Sequence, residues 1–207
     1  MRLYDYAASG NCFKVRLLLG TLGLEYERVP IDIFGGDTLT SEYAMVNPLR
    51  ETPVLELDSG ERIAQSSAIL WYLAEGTPFL PADALGRAQV VQWLSFEQER
   101  VMGGLGNPRF RILTGRPVDE ARLETGRGAL AVLDAHLAGR PWVVGERATI
   151  ADLGLFPYVS VAGDAGVSLP VHVVGWLERV RALPGFVDDF VTYPANAAPG
   201  MGSSIYG

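Results

Sequence analysis

Ser9, Asn11 and Cys12 put a hydroxyl, a carboxamide and a thiol within four residues, between a strand-like pattern and a helical one. A helix starting there leaves free backbone N–H groups and the positive end of its dipole facing the turn, which favours an anion such as a thiolate. Ser9 and Asn11 are also residue types that cap helices, a role worth about 1 kcal/mol. Cys12 gains acidity from the same terminus, whereas a lone cysteine is more often a small buried apolar residue. Ser9 is expected to carry the larger role, because a hydroxyl donates to a thiolate without forming a mixed disulfide. The Asn11 amide is an alternative donor, and Cys12 would favour disulfide exchange.

Two other segments could hold an anionic peptide. Glu51-Thr52-Pro53-Val54 sets a proline at the start of a strand, where no ladder donor is lost and a cis bond is tolerated. A cis bond would turn the Thr52 backbone N–H and C=O toward a cleft, where an extended peptide can pair with them. A trans, strand-initiating proline is the alternative. Gln65-Ser66 precedes another helical pattern, so the Ser66 hydroxyl and nearby N–H groups either hold a carboxylate or cap the helix.

Composition removes several classes of function. With 17 Lys+Arg against 24 Asp+Glu, a net charge of −7 and no basic cluster, nucleic acid and anionic membranes are not expected partners. No apolar run approaches the roughly 18 to 20 residues that span a bilayer. Met1-Arg2-Leu3-Tyr4-Asp5 lacks the apolar stretch of a secretory signal, so a cytoplasmic location is expected. One cysteine and two histidines, His136 and His172, exclude an intramolecular disulfide and leave little for a metal.

The elements that must position these residues can be read from periodicity. Residues 2–6 read as a strand, and Val15, Leu18, Leu19 and Leu22 follow at helical spacing. Tyr26 to Ile33 reads as a second strand and Gly35 to Ser41 as a loop. Residues 54–57 and 62–64 form a hairpin about Asp58-Ser59-Gly60. Ser66 would cap a helix through Leu73 that stops near Gly76. Beyond it, Gln89–Met102, Asp119–Leu137, Thr149–Val161 and Val173–Ala182 carry helical spacing, with Gly103 to Arg111 as a loop. Thr149 and Asp152 form a capping box, a folding device. The tail from Tyr193 has little to bury.

Taken in order, Ser9-Gly10-Asn11-Cys12-Phe13-Lys14-Val15-Arg16, then residues 47–55, 64–75, Pro78-Phe79-Leu80-Pro81 and 142–155, the chain resembles the glutathione transferase superfamily over nearly its whole length. The resemblance implies an α+β two-domain fold. Residues 1–76 form a thioredoxin-like glutathione-binding domain, 77–85 a linker, and 86–207 an all-helical bundle.

It also implies glutathione as co-substrate, a small electrophilic or disulfide second substrate, no metal, and a homodimer. By motif, Ser9, Asn11 and Cys12 are the candidate thiol partners, Thr52 and Pro53 meet the cysteinyl part, and Gln65 and Ser66 hold the γ-glutamyl end. Arg50-Glu51 replaces the family's usual Gly-Gln or Gly-Lys pair; Arg50 would attract the glycyl carboxylate and Glu51 repel it. Tyr6, Phe13, Asn107, Phe110 and Arg111 are expected to line the electrophile pocket, Tyr6 being a further thiol donor candidate. One of Glu97, Gln98 and Glu99 is expected to reach glutathione in the partner subunit.

Overall fold

Apolar alternation at the start of the chain becomes β1 (Arg2–Asp5), with Leu3 fully buried, and the helical spacing that follows becomes α1 (Gly10–Leu22). The computed structural model describes residues 1–194 and 197. β2 (Glu27–Pro30) runs parallel to β1, and α1 supplies the crossover that parallel pairing requires. β3 (Val54–Glu56) and β4 (Arg62–Ala64) are antiparallel, giving the order β2-β1-β3-β4. The hairpin turns at Gly60, whose φ of 93° suits glycine. α3 (Ser66–Ala74) lies against α1. The result is a thioredoxin-like domain.

Two features of this half differ from the sequence reading. The second strand is shorter than 26–33, because its ladder ends where Asp5 faces Pro30, which has no N–H. The segment after the expected loop contains α2 (Ser41–Val46), capped by the Thr40 hydroxyl accepting from the Tyr43 N–H at 3.1 Å. Six residues give too few turns for periodicity to show.

Residues 75–83 contain no helix or strand. A continuous helical path follows: α4 (Ala84–Phe96), a π-helical segment (Glu97–Gly106) and α5 (Asn107–Leu113). The loop expected over 103–111 is therefore helical. Two of its glycines, Gly104 and Gly106, serve close packing: a Cβ on Gly104 would lie 2.4 Å from the Gly126 nitrogen on α6 (Glu120–Leu137). α7 (Ile150–Ser160) and α8 (Val171–Arg181) complete the helical half.

α7 is buried along nearly its whole length, and Thr149 and Asp152 form the expected capping box at its start. Asp152 is wholly buried and accepts from the Thr149 N–H (2.9 Å), the Val143 N–H (3.1 Å) and Trp176 Nε1 (2.9 Å). One apolar core runs through both halves, joining Leu3, Leu17 and Leu70 to Leu94, Leu153 and Phe156. No described helix is long and apolar enough to cross a membrane.

Candidate active site

A cavity of about 520 Å³, within the usual size of small-molecule sites, opens where β1, α1, β3 and α3 meet the helical half. Three of its walls come from segments singled out in the sequence. Ser9 and Asn11 stand at the start of α1, Arg50 to Pro53 lead into β3, and Gln65 and Ser66 start α3.

Local sequence explains how each wall is held. Ser9 is the N-cap of α1, its hydroxyl oxygen accepting from the Cys12 N–H at 3.3 Å. That contact uses the oxygen as acceptor and leaves the hydroxyl hydrogen available to the cavity. The Thr52–Pro53 bond is cis. The Glu51 carbonyl beside it accepts from Tyr43 Oη (3.1 Å) and Asn47 Nδ2 (2.9 Å), so the short helix α2 positions this bend.

Gln65, not Ser66, is the N-cap of α3, and it makes no side-chain cap bond. Its φ of 72° is rare for a residue with a Cβ and costs of order 1–3 kcal/mol. Gln65 Nε2 donates to Glu51 Oε2 at 3.2 Å across the cavity mouth. Glu51 is thus engaged with a neutral amide, and Arg50 Nη1 is bonded to the Leu39 carbonyl at 2.6 Å.

Beneath Asn11 lies a buried ion pair that sequence reasoning missed. Lys14 Nζ donates to Asn11 Oδ1 (2.7 Å) and to Glu97 Oε2 (2.6 Å), and both charged side chains are 0% exposed. Burial pushes the Lys14 ammonium down and the Glu97 carboxyl up, while their contact opposes both shifts. The sequence signal was Asn-x-x-Lys at i, i+3 on one helix face. Its acidic partner, 83 positions away, was not visible.

Cys12 is withdrawn from the cavity. It is fully buried, its sulfur accepts from the Tyr6 backbone N–H at 3.4 Å, and burial pushes its thiol from 9.0 to about 11. The folded state therefore keeps a proton that the unfolded state loses above about pH 9. Stability should fall as pH rises from about 9 to about 11, by up to about 2.7 kcal/mol from this group. Urea unfolding of the wild type and Cys12→Ala across that range checks this: the wild type loses more stability, and parallel curves would refute it.

The remaining candidates divide. Tyr6 and Phe110 line the cavity, and Gln98 does so within its own chain. Phe13 does not: it is 1% exposed and stacks on Phe190 at 4.9 Å within the core. Asn107 has its Oδ1 buried without a partner, and Arg111 donates to the Pro117 carbonyl; neither lines the cavity. Glu97, being wholly enclosed with Lys14, cannot reach another subunit. Glu99 is exposed beside Arg100 on a groove between α4 and α6.

Sequence reasoning also missed Ile33, Phe34, Met102, Tyr158 and Tyr193 on the cavity wall. Phe34 and Phe110 stack at 6.1 Å, and Tyr193 meets Phe110 edge-on at 5.4 Å. These aromatics come from distant segments, so no local motif announces them. The site thus joins a polar floor rich in donors to an aromatic wall.

Comparison with known proteins agrees with this architecture. Residues 8–75 match the family model for the glutathione S-transferase N-terminal domain, and residues 105–184 that for the C-terminal domain. A glutathione S-transferase structure from Pseudomonas fluorescens superposes with a TM-score of 0.85 at 38% identity, covering 92% of this chain and 98% of that one. Glutathione S-transferase 3 of Zea mays is 30% identical, covering 96% of this chain and 97% of that protein. The disulfide-bond oxidoreductase YfcG of Escherichia coli is also 30% identical, covering 86% of this chain and 89% of that one. With both domain models matched and the fold shared along nearly its whole length, the chain belongs to the glutathione S-transferase superfamily.

Proposed function

We propose that the chain binds glutathione in this cavity, lowers the pKa of its thiol and delivers the thiolate to a small electrophile. The observation that carries this reading is the convergence of the Ser9–Asn11 turn, the Thr52–Pro53 bend and the start of α3 on one cavity with an aromatic wall. The Thr52 backbone pairs with the cysteinyl unit, Gln65 and Ser66 hold the γ-glutamyl end, and Arg50 faces the glycyl carboxylate. Ser9 and Asn11 face the sulfur. The thiol proton passes to solvent, a sulfur lone pair forms the new C–S bond, and the leaving group departs with its electrons. A thiol pKa lowered by two units requires about 2.7 kcal/mol of preferential thiolate binding, within reach of two hydrogen bonds and a helix terminus.

A second reading is glutathione-dependent disulfide reduction, favoured by the likeness to the Escherichia coli disulfide-bond oxidoreductase. There the glutathione thiolate attacks one sulfur of a disulfide and the other leaves as a thiolate. Cys12 is not required, because it is buried and protonated at neutral pH.

In this reading residues 1–76 bind glutathione, 77–85 link, and 86–207 shape the second-substrate wall. The protein works where reduced glutathione is supplied, in the cytoplasm. It is a homodimer across the groove between α4 and α6, on which Val132 is about half exposed.

Retention on immobilised glutathione near neutral pH, followed by light scattering of the eluate, tests both points. A folded protein that flows through overturns the glutathione reading, and a monomer at micromolar concentration overturns the dimer. Assays with aryl halides, hydroperoxides and mixed disulfides then separate the two chemistries, and binding without turnover would mark a non-catalytic member.

A further inference from the structure

We propose that Lys14, held by Glu97, is a positioning residue that makes Asn11 a hydrogen-bond donor toward the glutathione sulfur. The proposal rests on the glutathione reading above and adds residues that do not touch the ligand.

A carboxamide offers an acceptor oxygen on one edge and two N–H donors on the other, so whatever binds one edge decides what the other presents. Lys14 Nζ lies 2.7 Å from Asn11 Oδ1. As an ammonium, Lys14 has three donors and no acceptor. If its proton sits instead on Glu97, the amine accepts from that carboxyl and still keeps two N–H donors. In either arrangement Lys14 binds the amide oxygen. The Asn11 Nδ2 group is then turned to the opposite edge, where Asn11 lines the cavity and Nδ2 has no partner among the described residues.

The pair is poorly explained as a stabilising device. Glu97 Oε1 is buried with no hydrogen-bond partner, so the carboxylate is only partly satisfied. Burying such a pair gains little over apolar residues of similar volume and often costs stability. What it does supply is geometry. Glu97 Oε2 fixes Lys14 Nζ at 2.6 Å and also accepts from Gln98 Nε2 at 3.1 Å, and Gln98 itself reaches the cavity wall. Tyr158 of α7 closes the other side, its ring 5.4 Å from Lys14 Nζ. The groups facing the pair are thus Asn11 and the protonated Cys12 thiol of α1, Gln98 on the π-helical segment and the neutral Tyr158 hydroxyl.

The experiment uses Lys14→Met/Glu97→Met in the full chain, a substitution that removes one charge of each sign and leaves the net charge unchanged. The readout is the pH midpoint of the thiolate absorbance of bound glutathione, with kcat and KM measured separately. The midpoint is expected to rise by about one unit, as loss of one hydrogen bond to a charged group implies. kcat/KM below that midpoint should fall about tenfold, while KM for glutathione stays within about threefold. Adding Asn11→Ala to this background should have almost no further effect, because the two changes remove one interaction.

A folded double variant whose midpoint moves by less than about 0.3 unit, or in which Asn11→Ala still has its full effect, overturns the proposal. Asn11→Asp is an independent check that leaves the buried pair intact. It keeps an acceptor for Lys14 but has no N–H for the sulfur, so its midpoint must rise, and an unchanged one overturns the proposal. Wild-type protein with no bound-thiolate absorbance overturns the glutathione reading itself, whereas wild-type absorbance with unmoved variants overturns only the positioning.

Discussion

Asp152→Ala is expected to destabilise the protein by about 4 kcal/mol and to lower its melting temperature by roughly 10 °C. Asp152 lies under the helical half, where its two oxygens receive the Val143 and Thr149 backbone N–H groups, the Thr149 hydroxyl and the Trp176 indole N–H. Removing the carboxylate leaves these donors buried and unpaired, at about 1 kcal/mol or more each. It also removes the reciprocal half of the cap that starts α7, the helix that packs on α1. Thr149→Ala, which removes one cap acceptor, should cost about 1 kcal/mol. Differential scanning calorimetry decides the matter. An Asp152→Ala protein melting within about 3 °C of the wild type would show that the donors find other partners.

The second large effect is chemical. Ser9→Ala should lower kcat/KM by about a hundredfold and raise the thiolate midpoint of bound glutathione by one unit or more. Asn11→Ala should have a smaller effect of the same sign, and Cys12→Ala should leave the midpoint where it is. The Ser9 hydroxyl oxygen is engaged as helix cap with the Cys12 N–H, and its hydrogen remains free to meet a sulfur across the cavity. Cys12 faces the Tyr6 backbone from a site without solvent and is protonated at neutral pH. Loss of the cap itself costs about 1 kcal/mol, so the kinetic comparison is made well below the melting temperature. If Cys12→Ala abolishes disulfide exchange while Ser9→Ala retains it, the assignment is reversed.

Legibility in the sequence followed the range of the interactions. The turn at 9–12, the bend at 52–53 and the helix start at 65–66 are local devices, and their place on one cavity was readable because each depends on neighbours within four residues. The capping box at 149–152 was readable for the same reason. Glu97 was misassigned because its burial depends on Lys14, in a different part of the fold. Phe13 was misassigned because an aromatic one position after the turn points to the core, where Phe156 and Phe190 meet it. The helical run through Gly103 to Gly106 looked like a loop because the reasons for Gly104 and Gly106 are the approach of Gly126 and of Tyr158 from other helices.

Two enclosed cations of α1 tie the halves of the molecule together: Lys14 through Glu97, and Arg16 through Asp189, the latter guanidinium also bridging to Asp5. Lys14 and Arg16 both belong to α1 and both are enclosed. A polypeptide ending after α3 would leave Lys14 in water without its carboxylate, Arg16 with Asp5 alone, and the apolar surface that α1 and α3 bury against α7 uncovered. The same reasoning bears on chimeras assembled from related sequences. An N-terminal half transplanted onto a foreign helical half keeps its function only if residues 14 and 97 travel together, and 16 with 189. The inherited unit of this architecture is therefore the matched pair of halves, and exchange of either half alone is a charge-matching problem before it is a question of substrate.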